Sequence, residues 1–99
     1  MIRGTTPLLS FSLPFDVDLL SEARITILQD GLIKIDKKMS ECSQEGKKLS
    51  VKLTQEETLA LQEDQLVEIQ LKVKTTDGNV MASQIIRKHP ERILNEDVI

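Results

Sequence analysis

The chain has 99 residues and a mass of 11.2 kDa, which is the size of one domain with one core. Aromatic residues make up 2% of the chain and the formal net charge is −3, which argues against nucleic acid and sugar binding. No signal-peptide pattern and no bilayer-length apolar run occur, so we expect synthesis in the cytoplasm and no membrane partner. With Cys42 as the single cysteine, neither an intramolecular disulfide nor a cysteine zinc site is expected.

The first predicted strand spans Thr5–Leu13. Its side chains alternate, so one face points into the core, and the inward residues are Leu9, Phe11 and Leu13. Pro7 and Pro14 bracket this segment. Because proline donates no hydrogen bond to a neighbouring strand, we place this strand at the edge of a sheet.

A hairpin follows in the sequence. The segment from Phe15 to Leu20 breaks the alternation and is predicted to be a loop or one helical turn. Ala23–Ile27 and Leu32–Asp36 then alternate on either side of Asp30-Gly31. Asp-Gly between two alternating runs is typical of a tight β-hairpin, because the turn requires positive φ.

The middle of the chain contains a polar connection, a strand and a short helix. Ser40–Gly46 is polar throughout and is predicted to connect two strands, while Lys48–Leu53 alternates again. Thr54 precedes Glu57 by three residues, the spacing of a capping box, which predicts a helix near residues 54–61. We expect this helix to cross from one sheet to the other.

The clearest strand is Leu66–Thr75, where aliphatic and polar residues alternate without interruption. Asp77-Gly78 joins it to a last strand over Val80–Lys88, whose alternation is irregular. Either a bulge near Ala82–Gln84 or an apolar outer face that meets a partner explains the irregularity.

These elements predict an all-β fold: a single Ig-like antiparallel β-sandwich of about six to seven strands, with one short helix near residues 54–61. The likeness to immunoglobulin domains is architectural only, since the Cys–Trp–Cys core is missing. The predicted domain covers residues 1–90. Residues 91–99 form a C-terminal tail that we expect to be mobile unless it docks.

No catalytic, cofactor-binding or metal site is predicted, and we expect neither an enzyme nor a cofactor. His89 is the single histidine and has no neighbouring ligand residue, and Cys42 lies beside an acidic residue that would raise its pKa. Asp16 and Asp18 lack the further oxygen ligands of a calcium loop, so capping by Asp16 is the better interpretation.

The remaining candidate is the surface. The predicted edge strands are the first strand and Leu32–Lys38, and lysines protect the second of these edges: Lys34, Lys37 and Lys38. Five apolar residues fall outside the alternating faces and form the candidate interaction surface: Leu8, Leu28, Ile86, Ile93 and Leu94. The alternative is that they form a second small cluster within the monomer.

Five segments run in order through nearly the whole chain and together carry a resemblance: Met1–Pro7, Phe11–Asp16, Val51–Glu56, Val67–Val73 and Thr75–Gly78. They resemble a largely uncharacterised family of small proteins encoded in prophages of Gram-positive bacteria and associated with phage structural genes. The sequence departs from that pattern at Leu8–Ser10, where polar or β-branched residues are more typical.

The resemblance implies a non-enzymatic phage structural or assembly module, associated with the tail or virion. Its partners would be other virion proteins or copies of itself, with no nucleic acid, membrane or small-molecule substrate. The protein would reside in the host cytoplasm during synthesis and in the virion if structural. The alternative is a small cytoplasmic regulator or inhibitor, encoded by the prophage, that binds one host protein.

Overall fold

Two antiparallel sheets make up the fold of the computed structural model, which describes residues 1–99. The strands are β1 (Leu8–Ser12), β2 (Leu20–Gln29), β3 (Leu32–Lys38), β4 (Ser43–Glu45), β5 (Lys48–Lys52), β6 (Val67–Thr75), β7 (Val80–Ala82) and β8 (Ile86–Lys88). One sheet has the order β1-β5-β4, and the other has the order β3-β2-β6-β7, with β8 also paired to β6. The predicted all-β antiparallel sandwich is confirmed, with eight strands rather than six or seven.

The core lies between the two sheets because each central strand turns one aliphatic face inward. Ile25 and Ile27 of β2 and Val67 of β6 are fully buried, and Leu49 of β5 meets them from the other sheet. The polar residues between them along each strand face outward, as the alternation predicts. The core therefore joins both sheets in one cluster of 15 buried hydrophobic side chains.

The hairpin between β2 and β3 is confirmed. Asp30 and Gly31 both have positive φ, 53° and 73°, which is what the favoured two-residue hairpin turn requires. Leu20, which the sequence placed at the end of a loop or helical turn, instead begins β2. The turn itself is a short 3₁₀ segment over Val17–Leu19, capped by the side chain of Asp16. The predicted capping role of Asp16 is thus confirmed.

The short helix α1 (Gln55–Leu59) connects β5 in one sheet to β6 in the other, as predicted. The Thr54 hydroxyl accepts from the Glu57 N–H at 3.1 Å, and the Glu57 carboxylate accepts from the Thr54 N–H at 2.9 Å. This reciprocal pair is the predicted capping box, and it fixes where the helix begins.

The Ser40–Gly46 connection is more ordered than predicted. It contains the end of a second 3₁₀ segment (Met39–Glu41) and the strand β4, which pairs with β5. All three residues of β4 are exposed. Because backbone hydrogen bonds rather than a buried face hold this strand, it leaves no alternating hydrophobic pattern in the sequence.

The predicted last strand is divided into β7 and β8. Ala82 pairs with Lys72 and Ile86 pairs with Ile69, so this strand contains one residue more than its partner between these pairs. The extra residue forms the predicted irregularity, where the Ser83 hydroxyl accepts from the N–H of Leu71 at 3.0 Å.

The C-terminal tail docks on the N-terminal segment and on α1. Ile2 and Glu91 form a parallel bridge, and the Ile93 side chain approaches Gly4. Farther along, the Gln55 amide brackets the backbone of Ile99, donating to its carbonyl at 2.7 Å and accepting from its N–H at 2.9 Å. No helix of the structure is both long enough and apolar enough to span a membrane.

Candidate interaction surface

The five predicted contact residues lie on different parts of the molecule. Leu8 is on the outer face of the three-stranded sheet, and Leu28 is on the outer face of the opposite sheet. Ile86 is on β8, whereas Ile93 is half-buried beside Gly4 and Leu94 is almost fully exposed. The structure therefore does not join these residues into one patch, although each remains a candidate contact by itself.

Leu28 is the centre of a small outer-face cluster. It pairs with Ile33 of β3, which is exposed, and it lines a shallow depression of about 130 Å³ with Ile85. Thr26, Glu68 and Gln70 form the polar part of this depression. The cluster is therefore a modest apolar spot on an otherwise polar sheet face.

Ile86 belongs, together with Met81, to an exposed apolar strip along the β7–β8 edge. Met81 pairs with Val73, and Ile86 pairs with Ile69, so both side chains lie on the core-facing side of the five-stranded sheet. Yet Met81 is 41% exposed and Ile86 is 40% exposed, whereas Val73 and Ile69 are buried. The three-stranded sheet thus leaves the β7–β8 edge uncovered.

An apolar groove of about 220 Å³ lies along the β7 part of this uncovered edge. One wall comes from β1 and the residues that follow it, and the other comes from β6 and β7; the groove is lined by Phe11, Leu13, Phe15, Leu71, Val73 and Met81. We call the strip between β1 and the β7–β8 edge the open seam. It holds both aromatic residues of the chain, Phe11 and Phe15.

The sequence missed the open seam because its two walls are far apart along the chain. Phe15 falls in a segment without alternation and Met81 in an irregular strand, so neither carries a pattern of its own. The irregularity of Val80–Lys88 is the available signal, but the predicted apolar outer face differs from the open seam, because Met81 and Ile86 lie on the core-facing side of the sheet.

Lys37 does not have the predicted role of protecting the β3 edge. Its side chain is only 12% exposed and its ammonium lies 2.7 Å from Glu57 and 3.6 Å from Glu41. The hydrogen bond to Glu57 raises the pKa of Lys37 against the lowering effect of burial. Lys37 therefore ties β3 to α1 rather than protecting the edge, which leaves that role to Lys34 and Lys38.

The two residues with potentially reactive side chains, Cys42 and His89, make only structural contacts. The Cys42 thiol donates to the Lys38 carbonyl at 3.3 Å, and burial together with Glu41 raises its pKa, which favours the unreactive protonated form. His89 is exposed, and its carbonyl accepts from the N-terminal ammonium of Met1 at 3.2 Å. Neither residue is paired with another group that would activate it.

Asp77 is likewise part of a turn. Its carboxylate accepts from the Thr75 hydroxyl and from the Asn79 backbone, and the Thr75 hydrogen bond is the main reason that its pKa is lowered. These bonds hold the turn between β6 and β7, in which Gly78 has a φ of 91°.

No family model, no curated protein and no solved structure matches this chain. The resemblance to prophage-encoded proteins therefore stays a prediction from the sequence.

Proposed function

We propose that the protein is a non-enzymatic structural or assembly module of a phage, associated with the tail or virion, that acts by binding other proteins. The observation that carries this proposal is the open seam, where core-facing Met81 and Ile86 are exposed. An uncovered apolar strip beside a free strand edge is typical of protein contact sites.

The proposal also draws on the resemblance to proteins associated with phage structural genes. Under this proposal the protein is made in the host cytoplasm and is afterwards part of the particle or of an assembly intermediate. Small β-sandwich modules suit this role because the two sheets form a rigid support and the edges remain available for contacts.

Mass spectrometry of particles purified after induction of the prophage tests the proposal. We expect the protein in the particles in a fixed ratio to a tail or capsid protein. Light scattering coupled to size-exclusion chromatography should show it in a complex with that protein. A strict monomer that is absent from particles and from assembly intermediates would overturn the proposal.

A pull-down from host lysate separates the alternative role. Capture of a single host enzyme without any virion protein would favour a prophage-encoded regulator or inhibitor over a structural module. Capture of virion proteins, abolished by the Met81→Glu variant, would support the structural role.

A further inference from the structure

The two sheets of the sandwich do not have the same number of strand positions. The five-stranded sheet has four positions side by side: β3, β2, β6 and the edge that β7 and β8 share. The other sheet has three, in the order β4-β5-β1. Lys37 of β3 contacts Glu41 just before β4, and Phe11 of β1 lines the groove with Leu71 of β6, so the empty position lies beside β1, opposite β7 and β8.

We propose that the open seam accepts an extended segment of another protein, which adds a strand beside β1 and presents aliphatic side chains inward and carboxylates outward. The segment would occupy the empty fourth position of the smaller sheet. This inference rests on the proposed function for the identity of the partner as a virion protein, and it adds the binding mode and the chemistry of the bound segment.

The backbone of β1 has free hydrogen-bonding groups on the side of the open seam. The Leu53 N–H donates to the Pro7 carbonyl and the Leu13 N–H donates to the Lys47 carbonyl, so the odd-numbered residues of this segment face β5. In an antiparallel pair the backbone N–H and C=O groups of the intervening residues point away from the partner strand. The N–H and C=O groups of Leu8, Ser10 and Ser12 therefore face the empty position.

Among the strands at the edges of the two sheets, β3 and β1 differ in how they are protected. The edge strand β3 carries Lys34 and Lys38 and a register shift opposite Ile27–Leu28, devices that discourage pairing with another chain. In contrast, β1 has no charged residue and keeps a regular register with β5 from Leu8 to Ser12. Of these two edge strands, β1 is therefore the one that is open to an added strand.

The inward side chains of an added strand would complete the core. They would lie over Met81 and Ile86, whose partners across the strand pair are already buried. Aliphatic residues at alternate positions would fill this space, because successive side chains of a strand point to opposite faces. The bridge between Ile2 and Glu91 joins the segments beyond β8 and before β1, so the added segment is short.

On its outward side, an added strand would lie across β1 from two lysines of β5. Lys48 pairs with Ser12 and Lys52 pairs with Leu8, and neither lysine forms an ion pair. Lys48 also faces Glu45 on β4, again without an ion pair. The lysine stems can extend over β1 toward a strand about 10 Å away, which is two strand spacings. Carboxylates at the outward positions would be attracted there.

The experiment measures binding of short blocked peptides by chemical-shift perturbation of the full-length, isotope-labelled protein. The test peptide alternates glutamate with valine, and the matched peptide alternates lysine with valine. We expect the glutamate peptide to bind about tenfold more tightly than the lysine peptide at low salt, with shifts at Leu8, Ser10, Ser12, Met81 and Ile86. The preference should decrease as salt screens the lysines.

Two variants test the geometry. Ser12→Pro removes an N–H that faces the seam and should weaken binding about tenfold, whereas Ser12→Ala keeps that N–H and should bind normally. The double variant Lys48→Glu with Lys52→Glu should abolish the preference for the glutamate peptide. Lys34→Glu with Lys38→Glu on the β3 edge is the charge-matched control and should leave it unchanged.

The inference is overturned by equal binding of both peptides, by shifts confined to β3, or by identical affinities of Ser12→Pro and Ser12→Ala. It is also overturned if the protein forms a dimer in which β1 pairs with β1 of a second copy. Its failure is distinguishable from that of the proposed function: a protein found in phage particles that binds neither peptide refutes the strand addition alone.

Discussion

At the scale of single residues, buried polar groups link distant parts of the chain. Gln29 is fully buried at the end of β2, and its amide donates to the carbonyls of Gln62 and Gln65 at 2.8 and 3.0 Å. Its carbonyl accepts from the Gln62 N–H at 2.9 Å. One side chain thereby satisfies three backbone groups of the segment between α1 and β6.

Gln29→Met keeps the length of the side chain and removes these hydrogen bonds. We expect the free energy of unfolding to fall by about 3 kcal/mol, because three part-buried backbone groups lose their partner. Chemical denaturation measures the loss, with Gln44→Met on the exposed strand β4 as the control. A loss no larger than that of the control would show that water replaces the amide at no cost.

The ion pair between Lys37 and Glu57 gives a pH-dependent contribution. Burial raises the pKa of Glu57, but the hydrogen bonds from Lys37 and from the Thr54 backbone outweigh it, and the net result is a lowered pKa. A lowered carboxyl pKa stabilises the fold above the pKa of the unfolded chain, about 4.3, and this contribution is lost as pH falls through the folded value. The raised pKa of Lys37 has the opposite sign: its contribution is lost only at strongly alkaline pH.

Glu57→Gln removes the charge and keeps an oxygen that can accept from the Thr54 N–H. We expect it to cost about 0.5–1 kcal/mol at pH 7, since the pair is partly exposed and screened. The difference from the unmodified protein should shrink as the pH falls below about 4.3 and disappear once Glu57 is protonated in the folded protein. Denaturation curves across this pH range check it, and a difference that persists at low pH would mean that the charge is not its cause.

At the scale of elements, a capping box predicted from the sequence and a buried hydrogen bond hold the short helix α1 in place. The helix α1 has only five residues, too few to be stable by itself, so its capping box and its packing must hold it. Thr58 is buried within it, and its hydroxyl donates to the Thr5 carbonyl at 2.9 Å. The helix thus joins the segment that leads into β1.

Thr54→Ala should destabilise the protein by about 1 kcal/mol, because the Glu57 N–H loses its acceptor at the start of the helix. Thr54→Ser retains the hydroxyl and should cost no more than a few tenths of that value. Thermal unfolding monitored by circular dichroism compares the two variants. Equal losses would assign the role of Thr54 to packing of its methyl group.

At the scale of the whole molecule, the two ends of the chain are held together. The Arg3 guanidinium donates to the Leu61 carbonyl at 2.6 Å and to the Leu59 carbonyl at 2.8 Å, and it reaches Glu96 of the tail at 3.3 Å. These contacts join the N-terminal segment, the end of α1 and the tail. The tail beyond residue 90 is therefore attached to the sandwich through charged and backbone groups.

Arg3→Lys keeps the charge but cannot reach both carbonyls with the same planar geometry. We expect a loss of about 2 kcal/mol in the free energy of unfolding and faster amide hydrogen exchange in α1. Arg92→Lys, on an exposed tail residue without an ion pair, is the control. Unchanged exchange in α1 would show that other contacts hold the end of the helix.

Strands with one buried face could be predicted from the sequence because burial of a periodic apolar face leaves a periodic pattern. Val67–Thr75 follows this rule, and so does the hairpin at Asp30-Gly31, where the backbone conformation itself requires glycine. The strand β4 could not be predicted, since all its residues are exposed and only its backbone pairs. Likewise the ion pair of Lys37 with Glu57 depends on the packing of α1 beside β3.

The composition and the alternation by themselves determined an all-β, two-sheet protein with few aromatic residues and a mild negative charge. They also determined where the hairpins and the capped helix lie. The tertiary structure decided that one sheet is a strand position narrower than the other. The groove beside the missing strand position brings Phe11 and Phe15 next to Met81. Because its two walls come from segments that are distant along the chain, no single segment carries a sequence pattern that predicts the groove.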